Sequence, residues 1–253
     1  MARLSVCVEM LWSHLPFEER IQRAAKAGVQ AIEFWDYSKE ESGAIAAATR
    51  AAGVQVAAFV CEPGFALTGP TPVAEHVTGV RRAAAVGREL GCATLIVTAG
   101  NVVAGETSEA TRRRVLRKLT AMAVAAAEEN VTLVLEPLNP FIDHPGYWLT
   151  EMAQAADLVE EVGIEHLMIL YDIYHQQLTE GKIIVNLRRY APLIGHIHVA
   201  ATPGRTNLVG GDLDYRAIFG AIDQVGYTGY VGLELRPSGT PEEAVAEALS
   251  LLP

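Results

Sequence analysis

Four side chains of metal-binding type lie at the ends of four successive apolar runs: Glu136 closing TLVLE, Asp172 closing LMILYD, His198 near the end of IGHIHVA, and Glu234 within YVGLE. A single acid after Val, Ile and Leu is an ordinary solvated turn. Four in succession are hard to explain as surface, because strands buried on both faces carry them toward one shared rim. Crowded carboxylates repel, and keeping them ionised out of water is costly unless a cation or base is present. A divalent ion removes that difficulty. Three carboxylates and one imidazole, with no thiolate, suit Mn²⁺ or Mg²⁺, with Co²⁺ tolerated, and suit structural zinc poorly.

An ion held this way can bind adjacent carbonyl and hydroxyl oxygens of a substrate. It can then stabilise the enediolate left when the hydroxyl-bearing carbon loses a proton. Glu136 and Glu234, approaching from opposite sides, would remove and return that proton. The expected chemistry is aldose–ketose isomerisation or epimerisation.

Each residue also has a plainer reading. Glu136 alone could be a loop acid, although Pro137 behind it requires the strand to end there. Asp172, within YDIYH, could be a helix N-cap with His175 as its solvated neighbour. Glu234, between Leu233 and Leu235, is the hardest to dismiss, because an unpaired acid there would be expensive. His196 and His198 point the same way, since side chains two apart on a strand share a face. His196 sits about 6–7 Å deeper, at ~3.3 Å per residue, which favours a packed or supporting histidine over a direct ligand. Arg236 shares the parity of Glu234 and could meet a substrate carboxylate or a neighbouring acid. Glu33 and Asp36 read either as groups supporting the ligands or as helix caps. Trp35, Phe59 and Trp148 read as an apolar wall for a small substrate or as core.

These residues need elements to position them. Eight short β-type runs recur at 3–10, 31–36, 54–60, 94–100, 132–136, 167–172, 194–200 and 230–235. Segments of helical spacing separate them, such as PFEERIQRAAKAG and EATRRRVLRKLTAMAVAAAEEN, several ending in a glycine stop. Eight strands alternating with eight helices predict an α/β fold, a single (β/α)8 TIM barrel, whose active site lies at the C-terminal strand ends. With 253 residues and no linker or composition break, residues 1–253 read as one domain.

The net charge of −10 argues against nucleic acid and anionic membranes as partners and leaves a small-molecule substrate. No run approaches the ~18–20 apolar residues a membrane span needs. Cys7, Cys61 and Cys92 are odd in number, far apart and in apolar settings, so they read as reduced core thiols, which favours the cytoplasm. Barrels of this kind often form homo-oligomers through rim helices and loops, and no apolar stripe marks such an interface here.

LEPLN, YDIYH, GHIHVA, DLDY and GLELRP, with the opening SVCVEMLW and AIEFW, resemble the hydroxypyruvate isomerases and the wider xylose-isomerase-like superfamily, which includes ketose 3-epimerases. The similarity is strongest from about residue 131 to 237. It implies that Glu136, Asp172, His198 and Glu234 bind the metal and that the two glutamates exchange the substrate proton. It further implies that His175 contacts a substrate oxygen and that Arg205 reaches over the substrate. Hydroxypyruvate, converted to tartronate semialdehyde, is then the first candidate substrate, with ketose 3-epimerisation or isomerisation of a 2-oxo-tetronate as near alternatives.

The chain departs from the pattern in places. Some hydroxypyruvate isomerases carry Gln where this chain has His198, their Glu-Pro-Gly-Thr-Gly-Glu loop reads Asn207 to Asp212 here, and CEPGFALTGP replaces their Asn-Leu-Pro. The epimerases carry a second acid where this chain has Ile142. More distant readings fare worse. A metal-dependent hydrolase of the amidohydrolase type would place its His-x-His pair on the first strand rather than the seventh, and an endonuclease barrel needs many histidines and a basic face. A non-catalytic sugar-acid-binding barrel would have lost at least one of the four ligands.

Overall fold

The computed structural model describes residues 2–38, 41–62, 64 and 66–253. The strands are β1 (Arg3–Cys7), β2 (Ala31–Phe34), β3 (Gln55–Val60), β4 (Thr94–Thr98), β5 (Thr132–Glu136), β6 (Leu167–Asp172), β7 (Ile194–Val199) and β8 (Tyr230–Leu233). They pair in chain order, all parallel, and β1 also pairs with β8, so the sheet closes into an eight-stranded barrel. Helices α1 (Phe17–Lys26), α2 (Ser42–Ala52), α3 (Val73–Leu90), α4 (Ser108–Glu129) and α5 (Met152–Val162) follow the first five strands. The rest are α6 (Ile173–Thr179), α7 (Ile183–Tyr190), α8 (Tyr215–Gln224) and α9 (Pro241–Ser250).

The described residues therefore hold nine α-helices where the alternation predicted eight. The extra one arises between β6 and β7. Asp172 caps α6 at once, its carboxylate accepting the His175 N–H. Gly181 and Lys182 then turn left-handed (φ 65° and 54°), and the Glu180 and Gly181 N–H groups both close onto the Gln176 carbonyl. That break ends α6 before α7 can continue it.

Several strands are shorter than their apolar runs. The first run stops at Cys7 because the N–H groups of Met10 and Leu11 bond back to the Cys7 carbonyl at 3.1 and 3.0 Å. The second stops at Phe34 because the next two N–H groups, of Trp35 and Asp36, donate to the Glu9 carboxylate instead of a strand. Strand ends in this barrel thus become loops held by side chains, and those loops surround the site.

Two apolar clusters pack the molecule. The large one fills the layer between strands and helices. The small one, Ala58, Ile96, Val134 and Leu170, comes from β3 to β6. Val134 lies two residues before Glu136 and Leu170 two before Asp172, so strand parity puts this apolar plug beneath those acids, inside the barrel. The other half of the interior is polar: Ser5, Glu33, His196 and His198, all buried.

The three cysteines are free and buried, as read from the sequence. Burial pushes the Cys92 thiol up to about 12. Among the described residues no helix is long and apolar enough to cross a membrane.

Candidate metal centre

The four predicted ligands converge. Each of Glu136, Asp172, His198 and Glu234 offers one ligand atom, these atoms lie within 4.8 Å of one another, and all four residues are buried. His198 is central: its Nδ1 stands 3.2 Å from Glu234 Oε2 and 3.7 Å from Glu136 Oε1. Asp172 caps α6 and also stands among the four, while His175 beside it is buried, not solvated. One oxygen caps α6, and the other lies 3.5 Å from His175 Nε2 and 3.8 Å from Arg205. Glu234 extends β8 by one residue, its N–H donating to the Val199 carbonyl, and this places its side chain over the barrel mouth.

The electrostatics are those of a site short of positive charge. Burial pushes Asp172 up, and the Glu234 carboxylate adds to this against the pull of Arg205 and His198. Burial also works against the Glu234 anion, but Arg205 and His198 overcome it and hold Glu234 well below the usual carboxylate range. For His198, burial disfavours the charged ring, yet the surrounding Glu234 and Glu33 carboxylates raise it well above an ordinary histidine. Glu136 Oε1 and His198 Nδ1 are buried and make no hydrogen bond. Two unpartnered ligand atoms facing two further carboxylates fit a divalent cation, which would satisfy all of them at once.

Arg205 is buried against the site. Its guanidinium meets Glu234 Oε2 at 2.5 Å, its Nε donates to the Glu234 carbonyl at 3.1 Å, and it lies 5.3 Å over the Tyr174 ring. Its left-handed backbone (φ 57°) directs it inward, and the Arg236 N–H pins its carbonyl at 2.7 Å. Arg236 itself is exposed, because β8 has ended and strand parity no longer places it beside Glu234.

His175 is fully buried. Its Nδ1 faces the Asn139 side-chain nitrogen at 2.7 Å and the Asn139 backbone N–H at 3.3 Å. The orientation of that amide follows from its other contacts: Oδ1 accepts from the Ile142 and Asp143 N–H groups, while Nδ2 donates to Asp143 at 2.9 Å. Nδ1 of His175 must therefore accept, which leaves the ring hydrogen on Nε2. That Nε2 is buried without a hydrogen-bond partner beside Asp172.

Burial, aided by Arg205, pushes His175 down to about 4, so the ring is neutral at pH 7. Between pH 6.5 and 4 the unfolded chain takes up a proton that the folded protein refuses, so stability falls as pH falls through that window. The contribution is about 3 kcal/mol at most. Urea unfolding of wild type and His175→Gln is expected to show the variant losing less stability across that window; parallel pH curves would contradict this.

Of the three aromatics, Trp35 is at the mouth, 38% exposed, with its indole N–H donating to Glu234 Oε1 at 2.7 Å. Phe59 is core, stacked on Phe34 with ring centroids 5.4 Å apart and with Tyr37 at its edge, and Trp148 is buried. Asp36 caps a turn through Ser38, not a helix. His196 stands 3.1 Å from Glu33 and outside the group of four. Asn139 and Tyr174 carry more of the site than the sequence signalled; their positions inside LEPLN and YDIYH were the available hint.

Gly232 on β8 has a specific duty. A Cβ there would lie 2.5 Å from Glu33 Oε1 and 2.8 Å from His198 Cδ2. Gly232→Ala is expected to cost about 1–3 kcal/mol of stability, as overpacking in a filled interior does. An unchanged melting curve would show that Glu33 and His198 yield freely.

A sequence model of the xylose isomerase-like TIM barrel family matches residues 21–253. The hydroxypyruvate isomerase of Escherichia coli (strain K12) is 33% identical over 96% of this chain and 96% of its own. The 2-oxo-tetronate isomerase of Cupriavidus necator is 31% identical over 94% of each. Among solved structures, an AP endonuclease, family 2, from Brucella melitensis superposes with a TM-score of 0.92 at 26% identity over 97% of both chains. Family match, full-length relatives and barrel agree: the chain belongs to the xylose isomerase-like TIM barrel family, alongside the hydroxypyruvate isomerases, and is an isomerase.

Proposed function

We propose that this isomerase acts on a small hydroxy-carbonyl acid, hydroxypyruvate first, with one divalent ion, Mn²⁺ or Mg²⁺, held by Glu136, Asp172, His198 and Glu234. The observation that carries this reading is the convergence of four buried ligand atoms within 4.8 Å, two of them orphaned in hydrogen-bonding terms. When bound, the ion supplies positive charge for substrate oxygens that become anionic as the proton leaves carbon.

The remaining steps belong to side chains. Glu136 presents an oxygen free of hydrogen bonds and takes the proton from the hydroxyl-bearing carbon. Glu234, held by Arg205 and oriented by the Trp35 indole, takes up the substrate's hydroxyl proton and delivers a proton to the adjacent carbon, while the proton gained by Glu136 passes to the newly formed hydroxyl. His175, neutral with its hydrogen on Nε2, donates to a substrate oxygen, and Asn139 keeps the hydrogen there. Arg205 lies where it can also meet a substrate oxygen over Tyr174.

The C. necator relative keeps a 2-oxo-tetronate in play as a longer substrate for the same proton chemistry. The endonuclease name of the Brucella structure finds less support, since a net charge of −10 repels DNA. The test is a panel of hydroxypyruvate, 2-oxo-tetronates and ketoses in D₂O, run after chelation and after reloading with Mn²⁺ or Mg²⁺. Metal-dependent turnover with deuterium entering the carbon next to the carbonyl is expected. Turnover that survives thorough chelation would remove the ion from the reaction, and turnover without exchange would point to hydride transfer instead of the glutamates.

A further inference from the structure

A second convergence of ligand-type side chains lies directly behind the first: Glu33, His196 and His198, all buried, share His198 with the group of four. Two of its contacts are hydrogen bonds: His198 Nε2 lies 2.7 Å from Glu33 Oε2, and the Ser5 hydroxyl donates to Glu33 Oε1. His196 Nε2 lies 3.1 Å from that same Oε1 as an ion-pair neighbour and makes no hydrogen bond. A tetrahedral ion with bonds near 2.0–2.2 Å would spread such atoms to about 3.3–3.6 Å. The Glu33 carboxylate already occupies the middle of this group as acceptor.

The barrel makes room for the reach of Glu33. It leaves β2 and meets β7 across β1 and β8, passing the small Ser5 on β1 and Gly232 on β8, where any Cβ would strike it. Because the Nε2–H of His198 points at Glu33, Nδ1 is the nitrogen turned toward Glu136, Asp172 and Glu234, and its proton is the one an ion would displace. A carboxylate behind a ligating imidazole is a known physical device: it selects the tautomer, fixes the ring plane and increases the ring's donor strength.

Resting on the metal centre put forward above, we propose that Glu33 is a positioning residue for the ion: it presents His198 through Nδ1, while the Ser5 hydroxyl holds Glu33 in place and His196 packs beside it. It touches neither substrate nor ion. The group of Glu33, His196 and His198 is thus the support of one metal site, not a second one.

The experiment is metal binding, read apart from turnover. Apo wild type, Glu33→Gln and His196→Gln are titrated with Mn²⁺ by calorimetry and with Co²⁺ by its visible absorption, with metal counted per chain and apo melting curves recorded. Glu33→Gln is expected to bind about 10- to 100-fold more weakly, as loss of such a support does, with an altered Co²⁺ spectrum. Its kcat is expected to recover most of the way at saturating ion, because Glu33 is not at the chemistry. His196→Gln is expected to stay within about threefold of wild type, the glutamate contact being intact. If Glu33→Gln does not fold, Glu33→Asp withdraws the carboxylate by one methylene and is expected to weaken binding in the same direction. Wild-type affinity in the folded Glu33 variant, or two ions per chain in wild type, would overturn the proposal. A wild-type protein that binds no divalent ion would instead sink the metal centre itself, so the two failures are distinguishable.

Discussion

Glu136→Gln is expected to lower kcat by about 10²- to 10⁴-fold, the range that a positioned general base contributes, while leaving the barrel as stable as wild type. The substitution is nearly isosteric at the end of β5. Glu136 Oε1 has no hydrogen-bond partner to lose, and its nearest polar neighbours include the carboxylates of Asp172 and Glu234. Removing one of several crowded negative charges relieves repulsion in the ion-free protein. The check is steady-state kinetics at saturating Mn²⁺ beside a melting curve of the apo protein. Wild-type kcat would remove Glu136 from proton transfer. A large loss of stability would show that its charge holds something the geometry does not reveal.

Glu234→Gln is expected to behave differently, losing activity by a similar factor and also destabilising the fold. Here the carboxylate is partnered. Arg205 meets it at 2.5 Å, the Trp35 indole donates to it at 2.7 Å, and Arg205 and Glu234 are both buried. Taking away one member of a buried pair leaves the other charge uncompensated, at a cost of about 3–5 kcal/mol. Asp172, 3.8 Å from the guanidinium, offsets part of this, so the lower end of that range is expected. Chemical denaturation of the apo variant measures it. Equal stability of Glu136→Gln and Glu234→Gln would mean that Arg205 readily finds other partners, and the distinction between a free base and a tethered one would fall.

That distinction was not visible in the linear order of residues. Glu136 closes its run before Pro137 and Glu234 lies between two leucines, but neither setting says which of the two is paired. What separates them is the loop after β7, where a left-handed backbone at Arg205 returns the guanidinium onto Glu234 and not onto Glu136. His175 shows the same limit. YDIYH announces an imidazole three residues beyond an acid, but the neutral state and the position of its hydrogen depend on Asn139, 36 residues away on a loop folded over α6.

The sequence by itself determined the strand runs, the closed barrel they imply and the rim on which the four candidate ligands stand. Buried parallel strands must be apolar throughout, so a charged residue at the end of such a run stands out without any knowledge of what it touches. What surrounds those ligands was decided by tertiary closure. When β1 pairs with β8, Glu33 is brought across the barrel to His198, 165 residues away, and Gly232 becomes necessary for its absence of a side chain. Neither relation has a local signature, because the register around a closed sheet, and not the spacing along the chain, sets which interior side chains meet.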